Sequence, residues 1–558
     1  MSLTSLEKLT LDALAERSFK HFPNDVAFYS KKDSFTYADI EKIVAKLQKT
    51  FKEKGISQGD KVALLSENNP YWGMVYLAIT TMGAIVVPIL VDFHNSQIRH
   101  IIRNSGAKGI ILSSKKEDIF EDDDDDDSFE KLQFIMDIES LSLLDDDLHP
   151  NLHAMKNLDK ILQENPHKEP KEILENDVAV IIYTSGTSGH SKGVLLSHKN
   201  LVSNVVSTKC VYQVSPSDRF LSILPLAHTF ECTVGFLLPF MNGASVYYLS
   251  KVPTPSILKK ALAKVKPTCM LSVPIVIEKI YKNSIQSKFE SNAILRRLYK
   301  VPYLRKKLNK MAGKKLIETF GGHLNFFAVG GAPLSAHVES FLIETDFPYL
   351  IGYGLTETAP LVAAAHPSQR KFRSTGPAID GVSVKLLDKN EQSGEGELLV
   401  KGPNIMLGYY HDEQATQDAF HDGWFRTGDL ASIDDDGYIY IQGRSKNMIL
   451  GPSGENIYPE QIESVILSFE LVLDALVYEL EGKIVAKVHI DYEKFDHDNS
   501  ELNLTEAQER EKIEIILETL REDSNKALSK FSKIFKILEQ QEPFEKTPTK
   551  KIKRYLYV

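Results

Sequence analysis

Cysteine is scarce: Cys210, Cys232 and Cys269 are the only three in 558 residues. They lack metal-ligand spacing and are too few for a disulfide framework, which fits a reducing compartment. A surplus of positive charge is also missing. The 66 Lys and Arg against 76 Asp and Glu leave a net charge of −10, so no broad basic surface for nucleic acid is implied. No apolar run reaches the roughly 20 residues of a bilayer-spanning helix; the longest, Ala84–Val91, stops at Asp92. The N-terminal MSLTSLEKLTLDALAERS is amphipathic and carries acids, unlike a signal or transit peptide. These absences lead to the expectation of a cytoplasmic protein, with peripheral contact at a membrane surface left open.

A chain of this length exceeds one core, so about two to four domains or subdomains are expected. Tyr37–Lys54, Tyr71–Met82 and Asn95–Asn104 have helical spacing, whereas Lys61–Leu65, Ala84–Pro88 and Ile110–Leu112 read as strands. That alternation predicts a mostly parallel, layered α/β arrangement. Past residue 375 the pattern turns to short strands with turn signals, Val382–Leu387, Gly396–Val400 and Tyr438–Ile441, predicting a small β subdomain. An α+β stretch follows, with a charged helix expected at Glu506–Arg521. The fold class is therefore α/β: a large N-terminal domain, 1–445, of layered sheets plus the β subdomain, then a small α+β C-terminal domain, 446–558. Seven consecutive acids, Glu121–Asp127, repel one another and read as a solvated surface insertion, not a metal site.

Residues 183–193 read YTSGTSGHSKG and directly follow the strand-like Val178–Ile182. Glycines let main-chain N–H groups turn inward, Ser and Thr add hydroxyl donors, and Lys192 adds a mobile positive charge. This is the composition of a phosphate cradle. It departs from the NTPase P-loop, G-x-x-x-x-G-K-[ST], at two positions. Counted from Gly186, Ser191 stands where the second glycine belongs, and Gly193 stands where Ser or Thr would hold magnesium.

Four further segments carry chemistry. Val329–Leu334 (VGGAPL) follows the strand-like Leu324–Ala328, and its small residues leave room for a flat ring against backbone. Gly352–Glu357 (GYGLTE) places an aromatic face, a hydroxyl and a carboxylate together. Trp424–Asp429 (WFRTGD) precedes Gly443–Lys446 (GRSK), and Thr547–Arg554 (TPTKKIKR) clusters cations. In this order, and over nearly the whole chain, the set resembles the adenylate-forming superfamily of acyl-CoA synthetases, adenylation domains and luciferases. The TPT-x-K-x-K-R ending is similar to that of long-chain acyl-CoA synthetases, the bacterial ones closest.

The resemblance implies ATP-dependent activation of a carboxylic acid through an acyl-adenylate to an acyl-CoA thioester, releasing AMP and pyrophosphate. ATP, Mg²⁺ and coenzyme A are then required. It implies that Thr184, Ser185, Gly186, Thr187, Ser188, Gly189 and Lys192 hold the β- and γ-phosphates, although Ser188 and Ser191 replace the usual Thr and Pro. Gly331, Ala332 and Pro333 line the adenine, and Tyr353, followed by Gly354, stacks on it. Thr356 meets a phosphate, and Glu357 binds Mg²⁺ together with Thr184. Asp429 accepts both ribose hydroxyls and Arg444 makes a second ribose or phosphate contact. Alone, Glu357 would read as an acid at a helix N-terminus and Asp429 as a turn residue. Lys551 matches the catalytic lysine, with Lys550 in place of the usual glycine and with Lys546 and Lys553 close enough to confuse the register. The other reading of this tail is a basic segment lying on anionic lipid. Lys446 matches the hinge on which residues 446–558 would swing as a mobile catalytic lid over the ATP- and acyl-binding residues 1–445.

Leu224–Glu231 (LPLAHTFE) is similar to the LPLAH-x-x-E segment of long-chain fatty acyl-CoA synthetases, favouring a medium- or long-chain fatty acid. His228 would approach the carboxylate or gate the pocket. Val234–Phe240 read either as the wall of an acyl tunnel or as core packing. Three alternatives stay open. Adenylation of an amino or aryl acid is one, since Glu231 lies near the position where amino-acid-activating relatives pair an α-ammonium. The acceptor thiol could be the phosphopantetheine of an acyl carrier protein. A non-catalytic nucleotide-binding scaffold would require a damaged Lys551, Glu357 or Asp429, and all three are present.

Overall fold

The computed structural model describes residues 6–120, 127–144, 171–185, 191–249, 253–287, 289, 293–299, 301–451, 456–499, 505–547 and 551–558. Of the acidic run only Asp127 is among them, opening a short 3-10 turn that ends at Phe129.

The expected parallel alternation is present. Lys61–Leu65 pairs in parallel with Ile85–Ile89 on one side and Gly109–Leu112 on the other. Val178–Ser185 then joins Ile85–Ile89 in parallel, and the four form the middle of an eight-stranded sheet. A second, seven-stranded sheet contains Arg219–Ser222, Ser245–Tyr248, Cys269–Ser272, Phe326–Val329 and Tyr349–Ile351, all parallel, with Val26–Tyr29 and Ser34–Thr36 at one edge.

Side-chain alternation sets the layers. Val62 and Leu64 enter a core shared by both sheets, while Ala63 and Leu65 enter a cluster on the outer face of the eight-stranded sheet. Phe326 and Ala328 divide from Phe327 and Val329 in the same way on the seven-stranded sheet. Strands buried on both faces explain the nearly continuous apolar runs. Helices Tyr37–Glu53, Pro70–Thr80 and His198–Ser207 fill the space between the sheets. The first of these starts at a capping box between Thr36 and Asp39 and buries Tyr37, Ile40, Val44, Leu47 and Phe51 along one stripe. Each large apolar side chain fully buried in this way contributes roughly 1.5–3 kcal/mol.

Beyond residue 375 the expected small β unit is a five-stranded antiparallel sheet: Ser383–Leu387, Gly396–Lys401, Phe420–His421, Trp424–Ile433 and Ile439–Arg444. Its longest strand, Trp424–Ile433, has no counterpart in the sequence reading, because polar Thr427 and Asp429 flank Gly428, whose φ is +68°, and interrupt the apolar alternation. The final α+β stretch has its own core, drawn entirely from residues between Ile449 and Ile537. There Val472–Leu480, Lys483–Ile490 and Lys536–Glu539 form a three-stranded sheet with helices Pro459–Ile466 and Glu506–Ala527. No helix of the described residues is long and apolar enough to cross a membrane.

Candidate active site

The hydroxyl-rich segment is the tip of a hairpin. Val178–Ser185 runs antiparallel to Ser191–Ser197, with Thr184 opposite Lys192 and Ser185 opposite Ser191. Thr184 Oγ1 lies 3.5 Å from the Lys192 carbonyl oxygen. Gly186, Thr187, Ser188 and Gly189 lie outside the described residues. Lys192 therefore sits on the returning strand, not within the loop itself. Its Nζ is 3.8 Å from Asp412 Oδ2 and lies over the Tyr409 ring, 5.1 Å from the centroid. The Tyr409 hydroxyl donates to Glu357 Oε1 at 3.0 Å. Burial, and then the Glu357 charge, raise the Tyr409 pKa, so this phenol stays protonated and donating. Sequence reasoning missed both Tyr409 and Asp412. Nothing in the sequence marks either, because Gly408–Tyr409 reaches the site by pairing back onto Val194 and Leu195 of the hairpin.

Glu357 sits in the 3-10 turn Thr356–Thr358. The turn is pinned by Met406 N, which donates to the Glu357 carbonyl oxygen at 2.9 Å. Thr229 Oγ1 lies 3.4 Å from Thr356 Oγ1, so the LPLAH-x-x-E and GYGLTE segments meet. Gly354 is required by close approach: a Cβ there would lie 1.9 Å from the Pro360 carbonyl oxygen. Gly331 has φ +86° and, with Ala332 and Pro333, is exposed on the rim. Its nearest neighbour in the direction of a side chain is Val273 Cγ1 at 3.8 Å.

Asp429 is 4% exposed. Arg444, opposite it in register on the adjacent strand, reaches Oδ1 with Nε at 2.9 Å. The Tyr353 hydroxyl donates to Oδ2 at 2.5 Å. Burial still raises the Asp429 pKa, outweighing the lowering by Arg444, Tyr353 and Lys551. The same burial, with Asp429 second, raises Tyr353 well above an ordinary tyrosine.

The C-terminal tail settles into a tight bend. Thr547 N donates to the Lys551 carbonyl oxygen at 2.7 Å, and Lys551 N donates to Thr547 Oγ1 at 3.1 Å. Neighbouring cations are occupied: Lys546 with Asp474 at 2.6 Å, Lys553 with Glu545 at 3.1 Å and Arg554 with Glu463 at 2.6 Å. Lys551 instead is close enough to Arg444, Asp429 and Glu357 for their charges to act on its ammonium. It keeps solvent-accessible surface, yet enough protein surrounds its ammonium that desolvation, then Arg444, lower its pKa despite the two carboxylates. His228 feels it too: burial first and Lys551 second hold the imidazole down at about 4. Phe230 N donates to His228 Nδ1 at 3.3 Å, so the neutral ring carries its proton on Nε2.

Thus Lys192, Glu357, Thr356, Asp429, Arg444, Tyr353, His228 and Lys551 come together from segments spread between the hairpin and the C-terminal tail. Lys446 does not join them; it is exposed in the 3-10 turn Ser445–Asn447, immediately after the strand that carries Arg444. The apolar residues Val234–Phe240 belong to the central core, where Phe236 packs edge-on against Trp72 and Tyr76. Glu231, on the first turn of the π-helix Glu231–Leu237, is 1% exposed, and burial raises its carboxyl to about 8.

The family model described as AMP-binding enzyme matches residues 15–410. FadD15 of Mycobacterium bovis, a long-chain-fatty-acid–CoA ligase, is 29% identical over 473 residues, covering 79% of this chain and 75% of its own. Long chain acyl-CoA synthetase 3 of Arabidopsis thaliana is 27% identical over 488 residues, covering 81% and 73%. Among solved structures, O-succinylbenzoate coenzyme A synthetase of Bacillus subtilis with ATP and a magnesium ion aligns at a TM-score of 0.72 and 21% identity, covering 97% of this chain and 98% of that one. ATP-bound MatB of Rhodopseudomonas palustris aligns at 0.72 with 23% identity and 98% coverage of both.

Proposed function

The chain belongs to the AMP-binding enzyme family of adenylate-forming ligases, and from that premise we propose that it joins a medium- or long-chain fatty acid to coenzyme A through an acyl-adenylate. The observation that supports the reading is the electrostatic coupling of Lys551, from the C-terminal tail, with Glu357, Asp429, Arg444 and His228, around the Asp429 carboxylate held by Arg444 at 2.9 Å and Tyr353 at 2.5 Å.

In the first half-reaction a carboxylate oxygen attacks the α-phosphorus of ATP and the bond to pyrophosphate breaks. Two anions must meet, and the Lys551 ammonium offsets their repulsion as charge builds in the in-line transition state. Lys192 steadies the outer phosphates from the hairpin. Asp429 accepts from the ribose hydroxyls: one lone pair of each oxygen is engaged by Arg444 or Tyr353, and a second stays free. The tether to Asp429 also fixes the Tyr353 ring for stacking on adenine.

The donor set fits magnesium. Glu357 offers a carboxylate with one oxygen engaged by Tyr409, and no cluster of three or more His, Cys, Asp or Glu occurs among the described residues. A single protein carboxylate completed by phosphate oxygens and water is a common Mg²⁺ environment. Glu357, with Thr184, would hold the ion, which neutralises triphosphate charge when bound. In the second half-reaction the coenzyme A thiol attacks the acyl carbon and AMP leaves, with no protein cysteine needed. Cys232 and Cys269 are buried, and burial raises both thiols well above reactive values.

Three observations support a fatty acid: the LPLAH-x-x-E segment, the names of the relatives, and Glu231. A buried carboxyl held near 8 is mostly neutral at pH 7 and a poor partner for an α-ammonium. The test is pyrophosphate release across straight-chain acids, with coenzyme A and holo-carrier protein as rival acceptors. Each buried methylene is worth about 0.8 kcal/mol, so kcat/KM should rise roughly fourfold per carbon until the pocket is full. A flat series, or a preference for acetate, benzoate or an amino acid, rejects the substrate reading.

A further inference from the structure

We infer that the outward face of the helix Pro302–Thr319, continued by the preceding helix Ala293–Tyr299, docks on an anionic lipid bilayer. The inference goes beyond the substrate reading and does not depend on it, because vesicle binding is measured without turnover.

The two helices form an excursion of the chain between the neighbouring parallel strands Cys269–Ser272 and Phe326–Val329. From residue 291 to 317 the sequence holds nine Lys and Arg and no Asp or Glu, in a chain whose net charge is −10. Cations alone would describe a solvated face. The decisive feature is how the helix Pro302–Thr319 distributes its side chains. Asn309, Gly313 and Leu316 form the inward face, and a Cβ at Gly313 would lie only 2.3 Å from Thr345 Cβ, so the helix is pressed close to its neighbour there. Two large apolar residues of the same helix point outward: Tyr303 is 67% exposed and Met311 72%.

Tyr303, Lys307, Lys310, Met311 and Lys314 share one helical face, at i, i+4, i+7, i+8 and i+11. Lys307 lies over the Tyr303 ring at 4.7 Å. Among the described residues none of Lys306, Lys307, Lys310, Lys314 and Lys315 has a carboxylate within ion-pair distance; the nearby Glu344 is taken by Arg305 at 3.0 Å and by Asn309 at 2.6 Å. The preceding helix adds Ile294, 70% exposed, and Leu298, 36%, and Val301 follows at 47%. Tyr303 and Met311 interleaved on one helical face with lysines that have no carboxylate partner among the described residues are what an interfacial helix presents. The lysines meet lipid phosphates while tyrosine and the aliphatic chains enter the acyl boundary. Nucleic acid would use the cations but leave the apolar residues without a partner.

The experiment floats the full-length protein with phosphatidylcholine vesicles, with and without roughly one-third phosphatidylglycerol. Wild type should rise with the anionic vesicles only and be released by salt, which screens exposed charges. The combined variant Lys307→Glu, Lys310→Glu, Lys314→Glu should lose at least about 100-fold in partition, from roughly fivefold per lysine. Tyr303→Ser with Met311→Ser should weaken binding at low salt, and both variants should melt like wild type. Wild type that stays unbound, or either variant floating as wild type does, overturns the inference. So does capture by an acidic carrier protein without any vesicle binding.

Discussion

Asp429 is held from two sides by groups that compete for it differently: Arg444 Nε at 2.9 Å as a charge and the Tyr353 hydroxyl at 2.5 Å as a neutral donor. The aspartate is almost fully buried, whereas the Arg444 side chain keeps 42% of its surface. Replacing the carboxylate therefore frees a guanidinium that can turn to solvent, and the fold should survive.

Asp429→Asn is expected to melt close to wild type while its KM for ATP rises about 10- to 100-fold, the cost of weakening charge-assisted hydrogen bonds. Tyr353 is dissected alongside it. Tyr353→Phe keeps the ring and should lose less ATP affinity than Tyr353→Leu, which loses both ring and tether. Equal losses in the two variants would show that stacking contributes nothing.

Lys551→Ala should abolish acid-dependent pyrophosphate release yet leave thioester formation from synthetic acyl-adenylate largely intact. The pH profile carries a second signature. Adenylation needs the ammonium, and burial lowers its pKa, so the wild-type rate should fall on the alkaline side earlier than an ordinary lysine allows. Lys551→Arg, if active at all, should lose that limb because guanidinium stays charged. Equal loss of both half-reactions in Lys551→Ala rejects the role.

Much of this arrangement was legible in the sequence, for identifiable reasons. Lys61–Leu65 was recovered residue for residue, and the helix expected at Tyr37–Lys54 ends one residue earlier, because periodicity and a capping box are local signals. The strand Trp424–Ile433 was not legible, since its partner Gly396–Lys401 is distant in sequence and supplies the pairing that its broken alternation hides. The sequence matches Lys551 to the catalytic lysine, although Lys546 and Lys553 lie close enough to confuse the register. Ion pairs with Asp474 and Glu545 tie down the outer two, and the charges of Asp429 and Glu357 act on the middle one. The link from Lys192 through Tyr409 to Glu357 had no sequence signal at all, since it depends on a two-residue strand pairing.

Gly354→Ala tests the turn that carries Thr356 and Glu357. The obstructing atom is the Pro360 carbonyl oxygen, at 1.9 Å from the added carbon. It is backbone and cannot rotate away, so the turn has to shift. A loss of about 1–3 kcal/mol in stability is expected, with a larger proportional fall in kcat than in acid binding. A variant that melts and turns over like wild type would mean that Gly354 is not constrained.

Glu231→Gln should stabilise the protein, increasingly so as pH rises. In the fold the carboxyl holds its proton up to about 8, against 4.5 in its ordinary state. Below 4.5 both folded and unfolded chains are protonated and the group's contribution is complete; as pH climbs to 8 the unfolded chain releases the proton first and stability falls, by a few kcal/mol in all. Glutamine has nothing to release, so its melting temperature should gain on wild type between pH 5 and about 8. His198 and His228, both lowered to about 4 from 6.5, give the opposite slope: stability falls as pH drops from 6.5 towards 4 in wild type and variant alike. A constant difference between the two proteins across this range would place the Glu231 pKa near its ordinary value.

Lys446→Pro addresses the proposed domain rotation. Lys446 is the middle residue of the turn Ser445–Asn447, between the strand bearing Arg444 and the separate core that begins at Ile449. In the proposed mechanism, the arrangement in which the charges of Asp429 and Glu357 act on Lys551 is the one the first half-reaction uses. The proposed rotation would turn the lid about a few backbone dihedrals so that the thiol reaches the same acyl carbon. Proline fixes φ at its own position and disfavours helical backbone at the residue before it, here Ser445. The side chain at 446 is exposed, so adenylation should persist. Single-turnover assays should then show acyl-adenylate accumulating, with thioester formation slowed at least about tenfold. Selective loss of adenylation, with thioester transfer preserved, would place the pivot elsewhere in the chain.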